Sequence, residues 1–171
     1  SSEVEERTRL FFDAIEKHGI AKDSVTVLKG KFDYPSAKKK QKNYYQENNS
    51  FDFDTIVSLN DDMAFACIDF CREIGLKVPE DVIVSGFDDL PRSSFSNLPL
   101  TTISQRISEQ GYQAAQCVID QINGIKVPLV QKIQASVVLR ASTERIKYDA
   151  SQSNQSELIF NYYDGQDGVE S

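Results

Sequence analysis

Two polar turns near the middle of the chain each follow a run of β-branched and apolar residues. The first turn, residues 60–62, follows the run at 55–59, and the second, residues 88–89, lies just beyond the run at 82–85. A helical stretch separates the runs, so we expect two adjacent parallel strands whose carboxyl ends meet at one edge of a sheet. In an open α/β sheet the ligand crevice lies just outside that edge. The pattern therefore predicts an α/β fold with a polar small-molecule site.

Helices and strands are predicted to alternate along the chain. Gly19 and Gly75 are placed to end the first and third helices. This alternation predicts right-handed crossovers and a parallel Rossmann-like sheet flanked by helices. The predicted helices are 5–18, 36–48, 63–74 and 107–122, and the predicted strands are 25–28, 55–59, 82–85, 100–104 and 133–139. In the last helix the inward face is expected to consist of Ala114, Ala115, Val118 and Ile122.

Composition and charge exclude several classes of protein. With 171 residues, 40% of them hydrophobic and 26% charged, the chain can bury the core of one globular domain. A net charge of −7 argues against a nucleic-acid-binding surface, which needs a basic face. The basic cluster at residues 38–42 is interpreted as a solvated helix face. No apolar run is long enough to cross a bilayer, so no membrane partner is expected.

The cysteines favour a reducing compartment. Cys67 and Cys71 lie four residues apart on a predicted helix, with no second pair of His or Cys nearby, and Cys117 is the third. We expect buried free thiols, no metal and a cytoplasmic location. No signal peptide opens the sequence, although its start at Ser1 leaves room for a segment upstream.

An enzyme is not expected. The single histidine, His18, lies at the end of a predicted helix with no nucleophile near it in sequence. The sequence contains no glycine-rich phosphate loop, no nucleophile elbow and no zinc-protease helix. Asp61 and Asp88 could form an acid/base pair, but Asp residues at strand ends more often bind hydroxyl groups or cap turns. No cofactor is expected.

Five motifs follow one another along the chain in a fixed order. They are Asn60-Asp61-x-Met63-Ala64, Gly75-Leu76-x-Val78-Pro79-x-Asp81-Val82, Gly86-Phe87-Asp88-Asp89, Pro99-Leu100-Thr101-Thr102-Ile103-x-Gln105 with Gly111 after it, and Val137-Val138-Leu139-Arg140-Ala141-Ser142. Over roughly residues 5–143 the chain resembles the effector-binding domain of the LacI/GalR transcription regulators. The resemblance implies a truncated lobe of the periplasmic-binding-protein type I kind.

The resemblance also implies a division of the chain. Residues 1–143 are expected to form part of an effector-binding domain, mainly its second lobe, and residues 144–171 a polar tail or linker with a short ordered piece at 158–160. The family holds its effector between two lobes, and the helix at 107–122 packs in the first lobe. That lobe and a helix-turn-helix segment are not found in this sequence. Because the family dimerises through its second lobe, we expect a homo-oligomer.

Asn60 and Asp88 are the main candidate ligand-binding residues. An amide and a carboxylate at adjacent strand ends can donate to and accept from vicinal hydroxyl groups, as binding of a sugar or nucleoside-like effector requires. The resemblance implies the same two positions. Asp61 or Asp62 is expected instead to be the N-cap of the helix that follows.

Arg7 is the third candidate ligand-binding residue. It stands four residues before Phe11, and the family places an effector-contacting Arg at this spacing. The planar fork of guanidinium donors suits a carboxylate or hydroxyl acceptor. Arg9 offers a competing register, and a solvated Arg on the helix surface is the other interpretation.

The resulting hypothesis is a sensing domain for a small polar effector in a LacI/GalR-like bacterial transcription regulator, without direct nucleic-acid contact. One alternative is the ligand-sensor domain of a multidomain signalling protein, such as a histidine kinase or a cyclic-dinucleotide synthase. The continuation of the chain from Thr143 to Ser171 favours that alternative, because the regulators normally end near the closing Arg-x-Ser motif. A periplasmic sugar-binding protein is the third possibility.

Overall fold

A computed structural model describes residues 2–145. The first helix, α1 (Ser2–Lys17), buries Ala14 and Ile15. Gly19, two residues after the helix, terminates it. Its φ of +75° lets the backbone N–H groups of residues 19 and 20 donate to carbonyl oxygens of the last helical turn. The sequence predicted both this helix and its glycine stop.

A parallel strand pair and two helices form the centre of the fold. Strand β1 (Thr55–Val57) pairs with β2 (Ile83–Ser85) in parallel, with Val57 opposite Ser85. The helices α2 (Tyr34–Asn48) and α3 (Asp61–Glu73) pack against each other, and α3 also packs on both strands. The predicted β-α-β crossover with a parallel sheet is confirmed, although both strands are shorter than expected.

The remaining elements extend this centre. A short helix, α4 (Arg92–Phe95), precedes β3 (Thr102–Ser104), and α5 (Ile107–Ile122) connects β3 to β4 (Ser136–Val138). Strands β3 and β4 pair antiparallel. A single parallel bridge between Ser85 and Thr101 joins the two strand pairs. None of the described helices is long and apolar enough to span a membrane.

The buried side chains form two neighbouring clusters between the helices and the central strands. Each cluster takes side chains from α3, so this helix joins the two. The first consists of Ala64, Phe65, Cys67, Val84 and Leu100, and the second of Phe51, Phe70, Cys71 and Val82.

Two expectations about the elements are wrong. Residues 25–28 form no strand, and Val27 is 54% exposed. Local β-propensity was overridden there, because no described strand pairs with this segment.

The expected inward face of α5 is also wrong: Ala114, Ala115, Val118 and Ile122 are all exposed. The expected ordered piece at 158–160 lies outside the described residues.

Candidate functional site

The two polar turns lie beyond the same edge of the sheet. Val57 and Ser85 are opposite each other at the carboxyl ends of β1 and β2, and Asn60 and Asp88 each follow three residues later. The strand pairing therefore carries both candidate residues to the side of the sheet that the sequence predicted.

Asn60 is the N-cap of α3. Its side-chain oxygen Oδ1 accepts a hydrogen bond from the backbone N–H of Met63 at 2.9 Å, and its Nδ2 donates to the carbonyl of Phe32 at 2.9 Å. The expectation that Asp61 or Asp62 caps this helix is therefore wrong. Asn and Asp cap helices about equally well, and here α3 begins at residue 61, two residues before the predicted start at 63. An amide has two N–H groups and two lone pairs, so Asn60 keeps further hydrogen-bonding capacity.

Asp61 lies inside the protein, with no exposed surface. Its Oδ2 accepts from the backbone N–H of Leu90 at 2.8 Å and from the Ser93 hydroxyl at 2.7 Å. Its Oδ1 accepts from the Thr102 hydroxyl at 2.5 Å. A buried carboxylate needs such partners, because desolvation otherwise makes its charge very costly. Asp61 thus ties the start of α3 to the segment around α4 and to β3.

The second turn has an unusual backbone. Asp88 has a φ of 111° and Asp89 a φ of 54°, both in the region that side-chain-bearing residues rarely adopt. The Asp88 carboxylate accepts from Gln105 Nε2 at 2.7 Å, and its backbone N–H donates to the carbonyl of Ile103 at 2.9 Å. Asp89 forms an ion pair with Arg140 at 2.8 Å. Tertiary contacts therefore hold the turn on both of its residues.

Arg7 lies at the same edge. Its Nη1 donates to the carbonyl of Leu59 at 3.2 Å, and its guanidinium stacks over the ring of Phe87, 3.8 Å from the ring centroid. Arg9 instead forms ion pairs with Glu6 and Asp13 on the exposed side of the helix. In these contacts Arg7 lies against the sheet edge, whereas Arg9 pairs with acidic residues of its own helix.

A small cavity of about 80 Å³ opens between α1 and this edge. Arg7 lines it, while Asn60 and Asp88 do not. This volume is far below the roughly 300–1,000 Å³ of a complete small-molecule pocket. Among the described residues, this edge therefore does not enclose a small ligand by itself. The cavity lining consists of Arg7, Phe11, Ala14, Val57, Ser58, Leu59, Ser85, Gly86, Phe87, Thr101, Thr102, Ile103 and Val137.

Sequence reasoning missed two contacts of this edge. One is the stacking of Arg7 on Phe87, and the other is the ion pair of Asp89 with Arg140. Phe87 and Arg140 both stand in the motifs of the family resemblance. Their spacing along the chain carries no signal of these partners, because both contacts join segments more than fifty residues apart in sequence.

A parallel strand pair between helices, with polar turns beyond its carboxyl edge, defines an α/β lobe of the kind that binds small ligands at that edge. Residues 1–143 match the family described as the periplasmic binding protein-like domain. The chain belongs to this family.

Curated relatives and solved structures agree with this assignment. The HTH-type transcriptional regulator MalR of Streptomyces coelicolor is 36% identical over 93 residues, 54% of this chain and 27% of that protein. The HTH-type transcriptional repressor CytR of Escherichia coli is 28% identical over 142 residues, 82% of this chain and 41% of that protein. A LacI family regulator from Enterococcus faecium, solved with bound ribose, matches with a TM-score of 0.67 at 25% identity, over 80% of this chain and 50% of that one.

The predicted resemblance to the LacI/GalR regulators is confirmed by these matches. The two curated relatives are HTH-type transcription regulators. The chain spans half or less of the length of each of the three.

Proposed function

We propose that this chain is the second-lobe part of the effector-sensing domain of a LacI/GalR-type transcription regulator in the cytoplasm. The main support is the strand register, because β1 and β2 end opposite each other and carry both polar turns to one edge. The relatives favour a regulator over a signalling sensor or a periplasmic binding protein.

We infer that the effector is a small sugar-like molecule held by Asn60, Asp88 and Arg7. The amide and the carboxylate suit vicinal hydroxyl groups, and the guanidinium at the sheet edge adds a charged donor. The bound ribose in the Enterococcus faecium regulator supports a sugar. Binding between two lobes would then shift the population of lobe arrangements, which is how a sensing domain passes a signal to its output.

Saturation-transfer NMR of the 171-residue chain, with ribose and adenosine as probes, tests the proposal. Asp88→Asn removes the carboxylate of the proposed site, and Asp52→Asn removes the same charge before β1, at the opposite end of that strand. We expect saturation transfer to ribose with the wild type and Asp52→Asn, and a clear loss with Asp88→Asn. Equal transfer in all three proteins would show that the sugar does not bind at this edge.

A further inference from the structure

The turn formed by Asp88 and Asp89, called here the acidic turn, has a backbone that its residues do not favour by themselves. Two consecutive residues with a side chain have positive φ, at 111° and 54°. Such conformations persist only where the surrounding structure over-determines them. The contacts that hold the acidic turn therefore decide where the Asp88 carboxylate points.

One set of contacts comes from inside the protein and centres on Asp61. Its carboxylate accepts from the N–H of Leu90, the residue after the acidic turn, and from the Thr102 hydroxyl on β3. The same hydroxyl of Thr102 accepts from the N–H of Asp89 at 3.3 Å. A chain of hydrogen bonds thus joins Leu90, Asp61, Thr102 and Asp89 in that order. The Asp61 carboxylate and the Thr102 hydroxyl in this chain both belong to buried residues.

Further contacts reach each residue of the turn: Gln105 and the Ile103 carbonyl hold Asp88 as described above, and Arg140, more than fifty residues later in sequence, holds Asp89. Arg140 Nη2 pairs with the Asp89 carboxylate at 2.8 Å, and Arg140 Nη1 donates to the carbonyl of Leu100 at 2.9 Å. The Arg140 side chain is only 17% exposed, so water screens this pair less than a surface pair. Both residues of the acidic turn are therefore held by side chains outside it, Asp88 by Gln105 and Asp89 by Thr102 and Arg140.

We propose that Asp61 and Thr102 are positioning residues for the effector contact made by Asp88, with Arg140 stabilising the turn through its ion pair with Asp89. Asp61 has no exposed surface and acts through the turn instead of touching the effector. This inference rests on the proposed function for the role of Asp88, but the geometry of the acidic turn can be measured without any ligand.

The test compares Thr102→Val with Thr102→Ser in the 171-residue chain. Valine has nearly the shape of threonine but lacks the hydroxyl that links Asp61 to Asp89, whereas serine keeps it. Phe70→Leu, in the second core cluster, is the control that lowers stability without touching the acidic turn. Asp61→Asn is the second variant, because the amide keeps the shape of the carboxylate but places an N–H where an oxygen accepts.

Backbone chemical shifts of residues 88 and 89 are the first readout, and ribose titration followed by the same spectra is the second. We expect Thr102→Val and Asp61→Asn to move the shifts of both residues away from left-handed values and to weaken ribose binding at least about fivefold, the loss expected for one hydrogen bond. Thr102→Ser and Phe70→Leu should keep both wild-type values.

Wild-type shifts for residues 88 and 89 in folded Thr102→Val would overturn the proposal, and so would an equal change in Phe70→Leu. A changed turn with unchanged ribose affinity would overturn it as well. If the wild type does not respond to ribose, the proposed function fails for that sugar, and the shifts alone then support or overturn the positioning role. If Thr102→Val does not fold, Asp61→Asn gives the same two readouts.

Discussion

Gly86 is the position where the smallest substitution should have a large effect. It follows β2, and a Cβ atom built there would lie 2.2 Å from Asp61 Oδ1, 3.0 Å from Leu100 Cδ2 and 3.2 Å from Asp61 Cα. The first distance is far shorter than any real contact. The Asp61 carboxylate cannot simply rotate away, because three hydrogen bonds hold it and it is fully buried. Gly86→Ala must therefore displace either the strand end or this carboxylate.

Two terms set the expected cost of Gly86→Ala. Overpacking a close-packed core costs about 1–3 kcal/mol. A displaced Asp61 leaves buried donors unsatisfied, which adds about 1–3 kcal/mol. We expect a total loss of about 2–6 kcal/mol from a domain stability of about 5–15 kcal/mol. With a urea dependence of about 2 kcal/mol per molar, the middle of the usual range, the unfolding midpoint should fall by roughly 1–3 M.

Urea unfolding followed by circular dichroism measures this change. Gly111→Ala is the matched control, because it makes the same substitution in α5, where a Cβ meets nothing within 4 Å. The control should leave stability unchanged or raise it by up to about 1 kcal/mol, since alanine is the better helix former. Gly86→Ala unfolding at the wild-type urea midpoint would refute the close contact between Gly86 and Asp61.

Four further outcomes are expected. Titration calorimetry of the wild type with ribose should give a dissociation constant no tighter than about 1 mM, because a cavity of about 80 Å³ encloses little of a sugar; micromolar affinity would contradict this. Sedimentation equilibrium at tens of micromolar should show a dimer or larger, because α5 exposes Ile107, Val118 and Ile122; a clean monomer at roughly that concentration would contradict it. Burial raises the pKa of Cys67 to about 11 and that of Cys71 to about 12, so a thiol reagent at neutral pH should label these two only after unfolding, whereas rapid labelling of the native chain would contradict their burial. Folding raises both pKa values above the ordinary 9.0, so the folded state favours the neutral thiols. Their contribution to the free energy of unfolding should therefore be complete below pH 9 and be lost as the pH rises through about 11 and 12.

The elements that the sequence predicted well are those whose signal is local. The bounds of α5, 107–122, agree with the structure because an amphipathic period and the Asn123-Gly124 stop are both written in the segment itself. The parallel pairing of β1 and β2 also followed from local order, since a helix between two apolar runs leaves few topologies. The edge that carries Asn60 and Asp88 could therefore be predicted.

What the sequence could not show depends on partners distant along the chain. Residues 25–28 have strand-forming side chains, but a strand also needs a neighbour to receive its hydrogen bonds. The sequence correctly indicated that α5 is amphipathic. Burial of its apolar face would need a partner, and the described residues do not provide one. The cap falls on Asn60 instead of Asp61 or Asp62 because a shift of one or two residues in the start of the helix decides which side chain caps it.

The central claim is that ligand binds at the edge carried by Asn60, Asp88 and Arg7. Amide chemical-shift mapping of the 171-residue chain with ribose tests it most directly, at concentrations up to about 100 mM, which fill a site with a dissociation constant near 10 mM. The account predicts shifts concentrated on these three residues and on Phe87. Shifts concentrated on the basic face of α2, or no shift at all, would contradict it.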